Sequence, residues 1–307
     1  MTATDPYLVR LDPVRSPEVH AYVQPDGGWC LNNAGFVSDG ETTLLIDTAA
    51  TERRALLLRE AILTTGAPLP RIVVNTHHHG DHTYANGLFV PEATVIGHDA
   101  CRDEQSAAGH ELRLAWPGTD FGDIRIALPA VTYHDRLTLH VGGTEVRLIH
   151  PGVAHTRGDS IVHLPEHGIV FTGDLVFRGG TPFVSAGSLR GSLRALDLLR
   201  SLDAGVVVPG HGPVTDPSAF DATEEYLRYV TELAREGHTR GLTPLETARA
   251  ADLGTFAGLR ESERLVGNLH RAYAELDGLP EGSPLDPVTV FADIAAMNGG
   301  AIPACYA

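Results

Sequence analysis

From Pro17 to Thr48 apolar and polar positions alternate with a period of two, as paired strands do, around a turn-forming Pro25-Asp26-Gly27-Gly28. The last of these strands, TTLLID, ends at Asp47. The period then changes. TERRALLLREAILTTGA carries apolar residues at helical spacing, with Thr51 placed to cap its start and Gly66 its end. RIVVN follows as a short buried strand and runs directly into THHHGDHTYANG, a polar loop broken by glycine. Loops at the C-terminal edge of such a strand are where alternating α/β chains place their chemistry.

Further on, ATVIG reads as a strand and Asp99 to about Gly109 as a helix. A β-rich stretch follows (VTY, RLTLHV, EVRLIHPG, SIVHLPEHGIVFTGD), its turns at Gly142-Gly143 and Glu166-His167-Gly168 pointing to antiparallel pairing. A helix over Ser188–Leu202 and the strand GVVVPGHGP complete a second half. Two β-rich halves carrying helices predict an α/β fold, a four-layer αββα sandwich over residues 1–215. From Asp216 the period is helical, and residues 216–307 are expected to form a C-terminal helical extension packed on that domain, closing in a less regular Gly/Pro-containing tail.

Composition narrows the classes. With 307 residues, 43% hydrophobic and 20% charged, the chain has the make-up of a folded globular protein. Its net charge is −16, and all 23 basic residues are arginine. Such a surface disfavours nucleic acid and anionic membranes as partners. The N-terminal stretch has neither a basic segment nor an apolar core, and no run suffices for a membrane span, so a cytoplasmic location is expected. Cys30, Cys101 and Cys305 are too few and too far apart to suggest a disulfide framework.

The 16 histidines are concentrated in a few places. His77, His79, Asp81 and His82 offer four ligands within one loop, and three more polar islands end apolar strands: His155 in HPGVAHTRGD, Asp174 in FTGD and His211 in PGHGP. Alone, each island reads as a turn. Together they supply five imidazoles and two carboxylates, enough for two adjacent divalent cations whose repulsion a shared carboxylate and hydroxide would offset. Zinc suits this set, and manganese or iron is compatible with it.

In order and interval, the H-x-H-x-D-H string, the downstream His, the Gly-Asp and the final Gly-His resemble the metallo-β-lactamase superfamily of metallohydrolases. The resemblance covers about residues 17–215. It implies one metal held by His77, His79 and His155, a second held by Asp81, His82 and His211, and Asp174 bridging both, with Asp81 and Asp174 as the catalytic carboxylates. Asp47 either orients the histidine loop or merely ends its strand. The lactamases proper that bind a second zinc commonly carry cysteine where Asp174 stands, which argues against antibiotic hydrolysis and toward the glyoxalase II, lactonase and thioesterase branches.

Blocks such as AYVQPDGGWCLNNAG, FTGDLVFRGGTPFVSAGSLRGSLRALD and MNGGAIPAC look similar to the aromatic polyketide second-ring cyclase/thioesterase group within this superfamily. That likeness implies aldol ring closure with dehydration, joined to hydrolysis of an acyl thioester by a metal-bridging hydroxide. The substrate would be a small acyl or polyketide chain, free or bound to a carrier protein. The alternatives are a lactonase or a glyoxalase II-like acyl-glutathione thioesterase. Trp29, Tyr84, Phe177 and Phe183 are the candidates for an apolar substrate slot, against plain core packing. His78 is expected to face solvent or support the loop, Arg178 and Arg190 to solvate loops, and Thr156 with Asp159 to form a turn whose hydrogen bonds fix the His155 ring. A homodimer is compatible with the loop aromatics and tail.

Overall fold

The structure, a computed structural model, describes residues 5–307. Seven strands form a first sheet in chain order: β1 (Tyr7–Arg10), β2 (Glu18–Val23), β3 (Ala34–Ser38), β4 (Thr43–Ile46), β5 (Ile72–Val74), β6 (Thr94–His98) and β7 (Val131–Tyr133). The connections carry α1 (Glu52–Thr64), the single turn α2 (Gly80–Thr83), α3 (Asp99–Ala108) and α4 (Glu111–Ala115). The second sheet has five strands, β8 (Arg136–Val141), β9 (Thr144–Ile149), β10 (Ile161–Leu164), β11 (Ile169–Phe177) and β12 (Val206–His211), with α5 (Leu189–Ser201) joining the last two. The extension consists of α6 (Ser218–Thr239), α7 (Pro244–Ala250), α8 (Arg264–Leu276) and α9 (Pro287–Met297).

Period-two alternation sorts each strand's side chains into different layers. On β4, Leu44 and Ile46 face the second sheet and meet Val162, Leu164 and Phe171, while Leu45 faces outward with Phe36 toward Leu58 and Ile62 of α1. On the second sheet, Val170 and Val207 turn outward against Leu196 and Leu199 of α5, and Ile169 and Val208 turn inward. The result is the expected sandwich of helix, sheet, sheet and helix.

Three local readings differ. VTY does not join the antiparallel block; as β7 it pairs parallel to β6 and closes the first sheet, because the α3–α4 crossover returns the chain beside β6. The Pro25–Gly28 turn is part of a longer excursion, since β2 ends at Val23 and β3 begins at Ala34. The tail is not irregular throughout: Asp286 accepts from the Val288 and Thr289 N–H groups and caps α9, whose Val290 and Ile294 are buried. Pro287 at the first helical turn, which reads as a breaker, is suited to a helix start.

Phe220, Tyr226, Leu227 and Val230 of α6 and Leu265, Val266 and Leu269 of α8 share one apolar cluster with α5, β11 and the aromatics near the histidine loop. No helix among the described residues is long and apolar enough to cross a membrane. Because Leu269 is fully buried in the cluster joining α8 to the sandwich, Leu269→Ala should cost about 2–5 kcal/mol. A urea titration should show this as a lower midpoint at unchanged slope; an unchanged midpoint would mean that α8 adds nothing to global stability.

Candidate metal centre

The predicted ligands lie in the loops and turn that follow β5 and β9, at the irregular end of β11 and at the end of β12. Asp47 follows β4 in a left-handed conformation (φ 58°), which frees its carboxylate from the strand's alternation. The histidine loop leaves β5 and tightens into α2. Gly80 is needed there because any side chain would run into the Tyr84 ring. Asp174 lies where the β11–β12 register shifts, between Gly173↔Pro209 and Phe177↔His211. Across that irregularity stands Gly210, where even a methyl group would overlap the Asp174 carboxylate.

The seven residues converge in two groups, one of His77, His79, His155 and Asp174 and one of Asp81, His82 and His211, the ligand atoms of each lying within 4.8 Å of one another. Asp174 faces both: its Oδ2 is 3.5 Å from His155 Nε2 and 3.4 Å from His211 Nε2, and its Oδ1 is 3.1 Å from His82 Nε2. Asp81 Oδ2 lies 3.4 Å from His211 Nε2.

Hydrogen bonds at the far ring nitrogens fix which nitrogen faces inward. The Nδ1–H of His155 donates to the Phe183 carbonyl at 2.5 Å. His82 Nδ1 donates to Asp47 Oδ2 at 2.8 Å. Thr76 donates its hydroxyl to Asp47 Oδ2 at 2.6 Å, leaving Oγ1 to accept from His77 Nδ1 at 3.1 Å. His77 and His155 therefore point Nε2 lone pairs at the centre, and His82 presents Nε2 to Asp174. There His79 Nδ1 stands 3.1 Å from His77 Nε2 and 2.9 Å from His155 Nε2. Three imidazole nitrogens at such distances share more lone pairs than one proton can satisfy. Among the described residues, His82 Nε2 and Asp174 Oδ1 are also buried with no well-formed hydrogen bond. This donor set fits divalent cations.

Burial holds His77 and His79 well below the ordinary imidazole value, aided by repulsion from His82 and His78 respectively, and brings His155 to about 4. These rings are neutral and ready to coordinate. Burial opposes the charged forms of His82 and His211 too, but nearby carboxylates win: Asp174, Asp47 and Asp81 raise His82, and Asp174 and Asp81 bring His211 to about 9. Burial would also raise Asp174, yet His211, His82, His77 and His155 hold it well below the usual carboxylate range.

The remaining predicted residues divide. Asp47 orients the loop, bonding Thr76 N and Oγ1 as well as His82, and this settles the alternative left open by the sequence. Thr156 and Asp159 form the expected turn, but the His155 ring is fixed by Phe183 O, not by them. His78 meets Glu104 at 3.1 Å. Arg190 pairs with Glu275, and Arg178 is exposed. All four candidate slot aromatics are nearly buried. Phe177 stacks flat on His211 at 5.0 Å, and Phe183 meets Trp29 edge-on at 5.3 Å. Tyr84 accepts the Leu112 N–H. Trp29 is pinned by the extension: its indole donates to Glu263, its backbone N–H to Glu261, and the Arg264 guanidinium lies 4.3 Å from its ring centroid.

Sequence reasoning missed the support behind His155. From α8, Arg264 donates to Thr181 O, Asn268 donates to Pro182 O and accepts from Val184 N, and Arg271 donates to Ser185 O. This row holds the segment whose Phe183 carbonyl aims the ring. Its one sequence trace is the i, i+4, i+7 spacing of polar residues on the buried side of an amphipathic helix.

The profile of the metallo-beta-lactamase superfamily matches residues 27–211. Hydroxyacylglutathione hydrolase of Gloeobacter violaceus is 28% identical over 87% of this chain and 95% of that enzyme. The same-named enzyme of Methylococcus capsulatus is 30% identical over 72% and 77%. The alpha subunit of 2,4-dinitroanisole O-demethylase from a Nocardioides species is 27% identical over 60% of this chain, which spans about half that subunit (54%). Among solved structures, a metallo-beta-lactamase from Pontibacter korlensis aligns at TM-score 0.57 and 24% identity, covering 73% of this chain and 99% of that one. FIM-1 from Pseudomonas aeruginosa aligns at 0.57 and 20%, covering 75% and 97%. At these identities the structural matches speak for the fold.

Two outcomes follow from the site's geometry. Asp174→Ala should lower the bound metal-to-protein ratio at both groups in elemental analysis while the circular dichroism of the fold persists; unchanged stoichiometry would remove Asp174 from its bridging position. The second concerns protons. With His211 raised to about 9, its proton stabilises the metal-free fold fully below the ordinary value of 6.5, and that gain is lost as pH rises through about 9. Metal ligands must be deprotonated, so loading at neutral pH should release protons, and the share from His211 should fade above pH of about 9. Calorimetry in buffers of different ionisation enthalpy measures it, and proton-neutral loading at pH ~7 would contradict the charged state of His211.

Proposed function

The chain belongs to the metallo-beta-lactamase superfamily, and from that premise we propose that it hydrolyses acyl thioesters at a pair of zinc ions. One ion is assigned to His77, His79 and His155 and the other to Asp81, His82 and His211, with Asp174 shared. The observation that carries this reading is the alignment with a hydroxyacylglutathione hydrolase over 95% of that enzyme's length. The two clustered ligand groups support it.

Ions bound there would supply a Lewis acid for the thioester carbonyl and lower the pKa of a water toward neutrality. The chain does the rest. Asp81 and Asp174 bring negative charge into a buried site, offsetting part of the cations' charge in a medium that screens poorly. Asp47, through Thr76 and His82, and the Phe183 carbonyl, through His155, keep the ring nitrogens in register without reorganisation during turnover. Phe177 lies flat on His211 and keeps bulk water from that side. In this reading Trp29, Phe177 and Phe183 form the apolar wall met by the acyl chain, and Tyr84 braces the loop from below.

A second reading, ring closure coupled to thioester hydrolysis on a poly-β-carbonyl chain, is favoured by one observation. The blocks GGWCLNN and AIPAC, which carry the resemblance to the polyketide cyclase group, meet in one apolar cluster through Trp29, Cys30 and Cys305, and Tyr306, next in the chain, donates its N–H to Trp29 O. Product mass analysis separates the readings. Zinc-loaded protein given a hydroxyacyl-glutathione should release thiol in a chelator-sensitive way. Metal-dependent loss of both thiol and water from a poly-β-carbonyl aryl thioester would favour the second reading. No thiol release from either substrate would overturn the proposal.

A further inference from the structure

Cys30 and Cys305 stand 275 positions apart in the sequence, yet they meet in the same apolar cluster. Their chain neighbours are joined as well, through Tyr306 N and Trp29 O at 3.3 Å. The tail around Cys305 is held in place by Arg54 donating to Tyr306 O at 2.8 Å and Trp116 Nε1 donating to Pro303 O at 2.7 Å. The Cys30 backbone is left-handed, at φ 67°. Such a conformation is costly for a residue with a side chain. Both thiols are free. Cys101, the third cysteine, is fully buried and pairs with neither, its nearest polar partner being Gln105.

We propose that Cys30 and Cys305 are a thiol–disulfide modification site, whose oxidation by a small-molecule disulfide staples the C-terminal tail to the Trp29 hairpin beside the metal centre. The two positions are chemically unequal. Cys305 is partly exposed, and the neighbouring Cys30 thiol lowers its own to about 7. Cys30 is buried, and the neighbouring Cys305 together with burial pushes its thiol up. Cys305 is therefore the attacking sulfur and Cys30 the resolving one. The Cys305 thiolate attacks one sulfur of the reagent disulfide, whose S–S bond breaks and expels a thiolate. The Cys30 thiol then loses its proton and attacks the Cys305 sulfur of the mixed disulfide, expelling the second thiolate. Two protein thiols and one reagent disulfide become one protein disulfide and two reagent thiols, with no other electron acceptor.

The test uses full-length, metal-loaded protein treated with oxidised glutathione, then alkylated, digested without reductant and mapped by mass spectrometry. The wild type and Cys101→Ser should both yield the Cys30 peptide linked to the Cys305 peptide, with both alkylation sites lost together and regained on reduction. Cys30→Ser should stop at glutathione on Cys305. Cys305→Ser should leave Cys30 unmodified, because no reagent reaches it. Wild-type protein that keeps both thiols alkylatable, or that carries glutathione on Cys305 without ever linking to Cys30, would overturn the proposal whether or not the variants fold. The readout involves no turnover, so its failure is separate from that of the thioesterase reading.

Discussion

The crowding of imidazole nitrogens around His79 is the constraint to which the surrounding structure answers. Left to themselves, three buried rings with converging lone pairs would rotate apart or take up protons. Two of them are kept in place by their outer nitrogens, His77 by Thr76 at the end of the first sheet and His155 by a carbonyl from the loop after β11, while the neighbouring His82 is held by Asp47. Each such bond is worth little by itself, about 0.5–1.5 kcal/mol, or somewhat more where a carboxylate accepts. Their joint effect is to make one arrangement of the rings cheaper than its alternatives before any cation arrives. The low proton affinity of the first three rings and the carboxylate-raised affinity of His82 and His211 follow from that placement: His77, His79 and His155 are buried around one face of Asp174, while His82 and His211 stand among two or more carboxylates.

Much of this was legible in the chain. The alternation of TTLLID, the buried RIVVN and the ligand string after it locate the site, because strand period and ligand spacing are local properties. The geometry behind the ligands was not legible. That Asp47 is more than a strand end depends on Thr76 lying beside it across the β4–β5 pair. That His155 is aimed by Phe183 depends on a backbone carbonyl, which leaves no trace in residue identity. The tail misled for a related reason: Gly and Pro near residues 278–300 look like breakers, yet Pro287 starts a helix and only the flanking glycines interrupt.

The extension is tied into the sandwich by polar as well as apolar means. Arg264 and Arg271 are among the largest fully buried side chains, an environment that charged groups tolerate only with partners. Their partners include backbone carbonyls of the loop after β11, joined by the Glu261 carboxylate for Arg264 and Ser283 O for Arg271, and the guanidinium of Arg264 also lies against Trp29 and Phe177. Substituting one of these arginines would leave carbonyls unsatisfied inside the protein, so the helix and the loop it holds stand or fall together.

That row of side chains along α8 makes the histidine cluster and a helix some hundred residues downstream parts of one thermodynamic system. Whatever ligand binding gains from a well-aimed His155 ring is gained through Asn268 and its neighbours, and linkage runs both ways. A cation seated on the ring stabilises the helix by the same free energy with which the helix sharpens the site. Emptying the centre would therefore lower the free energy of opening α8 locally, although no atom of α8 is among the seven residues of the cluster.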